Sequence, residues 1–328
     1  MNSRHLVDPQ LFALLELFPT MQFSAELLPE IRAHTWPATV DPHAAAAVAM
    51  ESRLVSGPPG APDVPLFIYR PHEKTGTLPC IFHIHGGGYV TGTAAMMEPF
   101  HRPLALQAEC CIVSVDYRLA PETRFPGAVE DCYAALAWVF KQAAAIGVDP
   151  LRVGVMGESA GGGLAAALAL LARDRREYRL AFQHLIYPML DDRTCVTANP
   201  HPYAGEFIWT PHNNHFGWSA LLGLPPGSDG VSPYAAPARA ADLARLPPAF
   251  ISTGALDLFL EEDIEYARRL MRLGVPVELH VYPGAYHAFD LEPNARVAQN
   301  AWRDSVGALR RSLHEGKSGE LDSIRRGD

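Results

Sequence analysis

Val153–Ala166 reads VGVMGESAGGGLAA, one serine set among glycines, with an apolar β-branched run before it and alanines after it. A flexible linker would scatter its glycines and would not be flanked by apolar segments. A phosphate-binding loop needs Gly-x-x-x-x-Gly-Lys-Ser/Thr, and no lysine follows. A dinucleotide fingerprint needs Gly-x-Gly-x-x-Gly, a spacing that Gly157 and Gly161 do not have. What remains is Gly157-Glu158-Ser159-Ala160-Gly161, a Gly-x-Ser-x-Gly pattern at a sharp turn from strand to helix. Such a turn lifts a hydroxyl clear of a sheet and sets it at a helix N-terminus, where backbone N–H groups point outward. The pattern alone is weak; the strand before it and the alanine-rich run after it give it weight.

Outward from this turn the chain alternates strand-like and helix-like segments. Val64–Tyr69, Cys80–Ile84, Cys111–Asp116, Arg152–Met156, Phe182–Tyr187, Ala249–Thr253 and Val277–Tyr282 read as strands, with helix-like runs at Val129–Ala145 and Glu261–Leu273. That alternation predicts an α/β fold with a mostly parallel sheet covered on both faces. Residues 1–50 read as helical pieces broken by Pro19, Pro29, Pro37 and Pro42. Residues 188–247 are rich in proline and aromatics and show no clear strand, which suggests an insertion above the sheet rather than a bare loop. The expected organisation is N-terminal cap helices over 1–50, a catalytic domain over 51–187 and 248–316, a cap insertion over 188–247 and a polar tail over 317–328.

Bulk properties narrow the classes. The 328 residues are 48% hydrophobic and 19% charged, an ordinary folded composition. A net charge of -9 offers no basic footprint for nucleic acid or an anionic membrane. Five cysteines, an odd number without a Cys-x-x-Cys pair, suggest neither a disulfide framework nor a zinc site, but free thiols in a reducing compartment. Leu11–Phe18 is apolar yet short, carries Glu16 and lacks a cleavage site, so it reads as an amphipathic helix rather than a signal peptide. Leu164–Ala172 is too short to span a membrane and fits a buried helix. A cytoplasmic location is expected.

A serine hydroxyl is a weak nucleophile without a base. The stretch HIHGGGYVTG, His83–Gly92, follows an apolar strand, and its three glycines let backbone N–H groups turn into a cavity. With the N–H of Ala160 they could hold an oxyanion. An acid and a base then follow in the order Ser…Asp…His: Asp257 after one predicted strand, His287 after the next, at the same sheet edge as Ser159. Glu261, Glu262 and Asp263 compete with Asp257 but fall inside the next helix. His83 and His85 form half a metal-site pattern without further ligands at suggestive spacing, and no metal is expected. His212 and His215 read as surface residues, and Asp191, Asp192 and Arg193 as a charged turn. Glu158, beside the nucleophile, could brace neighbouring loops and is given no catalytic role. Phe207, Trp209, Phe216 and Trp218 in the insertion could line an apolar substrate pocket or hold the insertion down.

With these residues in place the chain resembles the hormone-sensitive-lipase-like esterases of bacteria, a family of α/β-hydrolases. The resemblance rests on His85-Gly86-Gly87-Gly88, Asp116-Tyr117-Arg118-Leu119-Ala120-Pro121-Glu122 with Phe125-Pro126, Gly157–Gly162, Asp257 and Tyr286-His287-Ala288-Phe289, in family order. It implies an eight-stranded sheet with a helical cap, Ser159, Asp257 and His287 as a catalytic triad, and Gly87, Gly88 and Ala160 as oxyanion donors. It also implies short-to-medium acyl ester substrates, no cofactor, and in many members a homodimer joined through the edge strand, here Val277–Tyr282. Leu258 stands where many relatives carry proline, and Glu158 where aspartate is common. Two other readings share these motifs: a binding module of the gibberellin-receptor kind, against which the intact His287 argues, and an amidase or transesterase using the same three residues.

Overall fold

The computed structural model describes residues 2–18, 21–33 and 39–315. Its sheet has eight strands: β1 (Val48–Val55), β2 (Val64–Pro71), β3 (Leu78–Ile84), β4 (Cys111–Val115), β5 (Val148–Glu158), β6 (Gln183–Ile186), β7 (Ala249–Gly254) and β8 (Val277–Tyr282). They lie in the order β1-β2-β4-β3-β5-β6-β7-β8, with β2 antiparallel to both neighbours and every pair from β4 to β8 parallel. The helices are α1 (Phe12–Leu17), α2 (Leu28–Ala33), α3 (Pro42–Ala47), α4 (Glu98–Gln107), α5 (Gly127–Lys141), α6 (Ala160–Arg175), α7 (Pro211–Leu222), α8 (Leu260–Arg272) and α9 (Arg296–His314).

All seven strands predicted from the chain's alternation are present. β3 and β4 are buried along their whole length, because helices cover both faces: α5, α6 and α8 on one, α4 and α9 on the other. α6 is buried on every side from Ala160 to Ala172, so Leu164–Ala172 is a core helix as its composition predicted. No helix among the described residues is long and apolar enough to cross a membrane. The five cysteines are unpaired, and four of them are buried.

The N-terminal expectation needs correction at its end. β1 begins at Val48, inside the stretch read as helical, and pairs with β2 from Val48↔Pro71 to Val55↔Val64. It is an edge strand with five exposed residues in its middle, so its sequence carries no apolar alternation. Pro29 and Pro42 do not break helices but begin them, at the first turns of α2 and α3, where the missing N–H costs nothing. Pro19, Pro37 and the 317–328 tail lie outside the described residues.

α1 and the turn before it dock as predicted, burying Leu14 and Leu11 in a cluster with Tyr187, Tyr286 and Phe289. The N-terminal segment is tied to distant parts of the chain. Ser3 donates to Glu206, Asp8 N–H to Gly284 O, the Tyr286 hydroxyl to Leu11 O, and Phe23 N–H to Asn213 Oδ1. Residues 188–247 contain no strand; α7 is their one α-helix, joined by two short 3-10 turns, Thr194–Val196 and Pro237–Arg239.

Candidate active site

β5 ends at Glu158 and α6 starts at Ala160, so Ser159 alone makes the turn, at φ 55° and ψ −121°. That conformation is held by the neighbours. Ser159 N–H donates to Ile186 O, and Ser159 O accepts from Gly163 and Met189 N–H. The flanking glycines are needed because the backbones meet there. A Cβ on Gly157 would lie 2.3 Å from Gly161 O, and one on Gly161 would lie 2.0 Å from Ile84 O.

The acid and the base reach Ser159 from the next two strands. The loops after β7 and β8 are laced together by Ala255 N–H to Tyr282 O and Leu256 N–H to Ala285 O. His287 Nδ1 faces Asp257 Oδ2 at 2.8 Å, and His287 Nε2 faces Ser159 Oγ at 2.9 Å. A carboxylate only accepts, so Nδ1 carries the proton and Nε2 is free to receive one. Asp257 is wholly buried, and its other oxygen accepts from Phe259 N–H at 2.9 Å. Phe259 stands edge-on to the His287 ring at 5.2 Å and Tyr187 packs against it at 4.8 Å. Of the competing acids, Glu262 is occupied elsewhere, accepting from Leu190 and Asp191 N–H and the Thr194 hydroxyl, and Asp263 is buried within α8.

The glycine loop after β3 lies over the serine turn; a Cβ on Gly86 would stand 3.0 Å from Glu158 O. Gly87 and Gly88 adopt φ of 115° and 60°, and Gly87 O closes the loop by accepting from Val90 and Thr91 N–H. Among the described residues nothing accepts from the N–H of Gly87, Gly88 or Ala160. Tyr117 props the loop, its hydroxyl donating to His85 O and its ring stacked on His85 at 4.3 Å. Burial drives the His85 imidazole down to about 4.

The alpha/beta hydrolase fold family matches residues 81–291, more than half of the chain. The chain is 34% identical to the carboxylesterase NlhH of Mycobacterium tuberculosis over 314 residues, 95% of this chain and 98% of that one. It is 34% identical to an arylesterase of Saccharolobus solfataricus over 227 residues, 69% of this chain and 73% of that one. A bacterial heroin esterase superposes with a TM-score of 0.88 at 39% identity, covering 95% of this chain and 99% of that chain.

The chain belongs to the α/β-hydrolase family, in its hormone-sensitive-lipase-like branch. It is a serine ester hydrolase, with the geometry of a Ser-His-Asp triad.

Among α/β-hydrolase features, the structure separates the four aromatics expected around the substrate. Trp209 stands over the site: its ring end lies 2.1 Å from where a Cβ on Gly88 would be, and 6.3 Å from the His287 ring. Phe23 from the N-terminal segment packs edge-on against both Trp209 and Phe216. Trp218 is wholly buried against Tyr89, and Phe207 packs on Tyr286, so these two serve as packing. His212 contacts Phe23 O and His215 the Ser219 hydroxyl, both at exposed positions. Asp191 pairs with Arg193 as a charged turn, whereas Asp192 is buried in a two-point ion pair with Arg239. His83 and His85 do not converge: His83 faces Glu158 and Ser114, and His85 faces Gly86 O.

Sequence reasoning missed the residues that brace the site. Tyr187, whose hydroxyl donates to Asp290, gave no signal beyond a strand-end aromatic. His83 did give one, a polar residue inside a fully apolar strand.

Proposed function

We propose that Ser159 attacks the ester carbonyl while His287 Nε2 takes its proton, with Asp257 holding the imidazole and offsetting its charge. The carbonyl oxygen becomes an oxyanion on the N–H groups of Gly87, Gly88 and Ala160. His287 then protonates the leaving alcohol, and water, activated by the same histidine, releases the acid from the acyl-enzyme. The observation that carries this reading is His287 bridging Asp257 and Ser159 at 2.8 and 2.9 Å. The unpartnered N–H groups beside it support the oxyanion assignment.

Short-to-medium acyl esters are the proposed substrates. Trp209 over Gly88 supports this, since it leaves little height above the glycine loop. Residues 188–247 and the N-terminal segment form the cap in this reading, and their ties through Phe23 and Asn213 support it. Trp209 and Phe216 remain as its pocket aromatics. The position of β8 at the edge of the sheet supports pairing of two copies along that strand, and the unpaired cysteines support a cytoplasmic setting.

The test is hydrolysis of p-nitrophenyl esters from acetate to palmitate by the wild type beside Ser159→Ala. Turnover is expected to fall about a million-fold in the variant, with the optimum at the short end of the series. An equally active variant would remove Ser159 from the mechanism, and an optimum at palmitate would remove the short-acyl reading. Parallel turnover of amides with matched acyl groups separates an esterase from an amidase.

A further inference from the structure

Glu158 is the last residue of β5, directly before the nucleophile, and its side chain does not enter the substrate side. It turns to the sheet face covered by α4 and α9, where both carboxylate oxygens meet His83 Nε2, at 2.9 and 3.0 Å. His83 is wholly buried and the Glu158 side chain is 13% exposed. The second ring nitrogen, His83 Nδ1, meets the Ser114 hydroxyl at 3.0 Å. Ser114 is the register partner of His83 across β3 and β4, and His83 is paired with Met156, two residues before Glu158, across β3 and β5. The three polar groups thus form one rung across three adjacent strands, β4, β3 and β5, just below their ends. The ring is fixed from the side as well. His101 packs edge-on to it at 4.2 Å and Tyr69 packs edge-on to His101 at 5.0 Å. Burial holds the His101 imidazole well below its ordinary value, so it adds no positive charge next to His83.

The place of the rung gives it a purpose. Two residues beyond His83 the chain enters the glycine loop, and one residue beyond Glu158 is Ser159. The rung therefore ties the strand that carries Gly87 and Gly88 to the strand that carries the nucleophile. We propose that His83 and Glu158 are positioning residues: they set the distance between Ser159 Oγ and the loop N–H groups, so that the developing oxyanion meets its donors. This rests on the roles given above to Ser159, Gly87 and Gly88. A buried pair is poor evidence of stability in general, because desolvation offsets much of its attraction. Fixing a geometry at a strand end is the better account of polar groups in an otherwise apolar strand. The gain falls on the transition state, since the oxyanion forms only there.

The experiment is steady-state hydrolysis of p-nitrophenyl acetate by Glu158→Ala, Glu158→Gln, His83→Phe and the Glu158→Ala/His83→Phe double variant, with melting temperature measured on each. The expected result is a loss of about a hundredfold in kcat for Glu158→Ala and for His83→Phe, with little change in KM. The double variant is expected to be no worse than the weaker single, because the two residues act as one unit. Glu158→Gln keeps an acceptor for His83 and should recover most of the rate. His83→Phe preserves the ring packed on His101, so it reports the lost hydrogen bonds even if alanine variants fold poorly. Losses that multiply, a change confined to KM, or Glu158→Gln as slow as Glu158→Ala would each overturn the proposal. Labelling of the variants with a fluorophosphonate keeps the two readings apart. A wild type that the reagent does not label at Ser159 refutes the nucleophile assignment; labelled variants with full kcat refute only the rung.

Discussion

Asp257 shows how much one residue's surroundings decide. One oxygen accepts from Phe259 N–H and the other from His287 Nδ1. In Asp257→Asn the Phe259 N–H would keep the amide oxygen, leaving the NH2 group to face His287. The imidazole could then meet it only with a lone pair on Nδ1, moving its proton to Nε2, where it can no longer receive one from Ser159. Asp257→Asn is therefore expected to lose about four orders of magnitude in kcat with an unchanged fold, measured by turnover beside circular dichroism. A variant within tenfold of the wild type would mean that the orienting acid lies elsewhere. At this scale the three residues of the triad were legible, since each follows a strand in the expected order. Their supports were not. Tyr187 and Asp290 meet across 103 residues, and the Phe259 ring reaches His287 from the loop after another strand, and nothing local to them marks that.

Among the elements, the meeting of α6 with β3 and β5 is the tightest. Gly161 lies where a Cβ would be 2.0 Å from Ile84 O and 2.5 Å from His85 O, both backbone atoms that cannot swing aside. Gly161→Ala must push α6 away from the sheet. The expected cost is about 3 kcal/mol, the upper part of the range for overpacking, together with loss of activity as Ser159 moves off His287. Thermal unfolding checks it, and a melting temperature equal to wild type would mean the helix is not seated as described. Most elements could be read from pattern alone, because strands buried on both faces are uniformly apolar. β1 could not. Its middle residues, from Met50 to Leu54, are exposed, and its place in the sheet comes from pairing with β2 rather than from its own composition.

Taken as a whole, the molecule encloses several histidines that it keeps uncharged. Burial brings His85 down to about 4 and His184 to about 3, and holds His101 well below its ordinary value. In the unfolded chain each would accept a proton near 6.5, so acid favours unfolding. The histidine contribution is complete above about pH 6.5 and is lost progressively from there toward pH 4, on the order of 3 to 5 kcal/mol for each of His85 and His184. Asp290 works in the opposite sense. Burial raises it to about 6 and holds Glu262 and Asp263 well above the usual carboxylate range, so the fold gains on protonating these three as the three histidines cost it. Melting temperatures between pH 7.5 and 4.5, measured on the wild type beside His184→Gln, separate the histidine contribution from that of the carboxylates. His184→Gln, which can still reach the Ser305 hydroxyl that His184 meets at 2.8 Å, should gain melting temperature relative to the wild type as the pH falls. An equal pH dependence in the two proteins would show that His184 is solvated.

The ties between the N-terminal segment and the far half of the chain bear on the order of synthesis. Ser3 waits for Glu206, Phe23 for Asn213, Asp8 for Gly284 and Leu11 for Tyr286. A ribosome emits the first of each pair 190 to 276 residues before the second. The opening residues therefore travel out without a docking surface while the central strands are still being made. Tyr286 and His287 are neighbours in sequence, so the anchor for the N-terminal segment and the base for the chemistry leave the ribosome together.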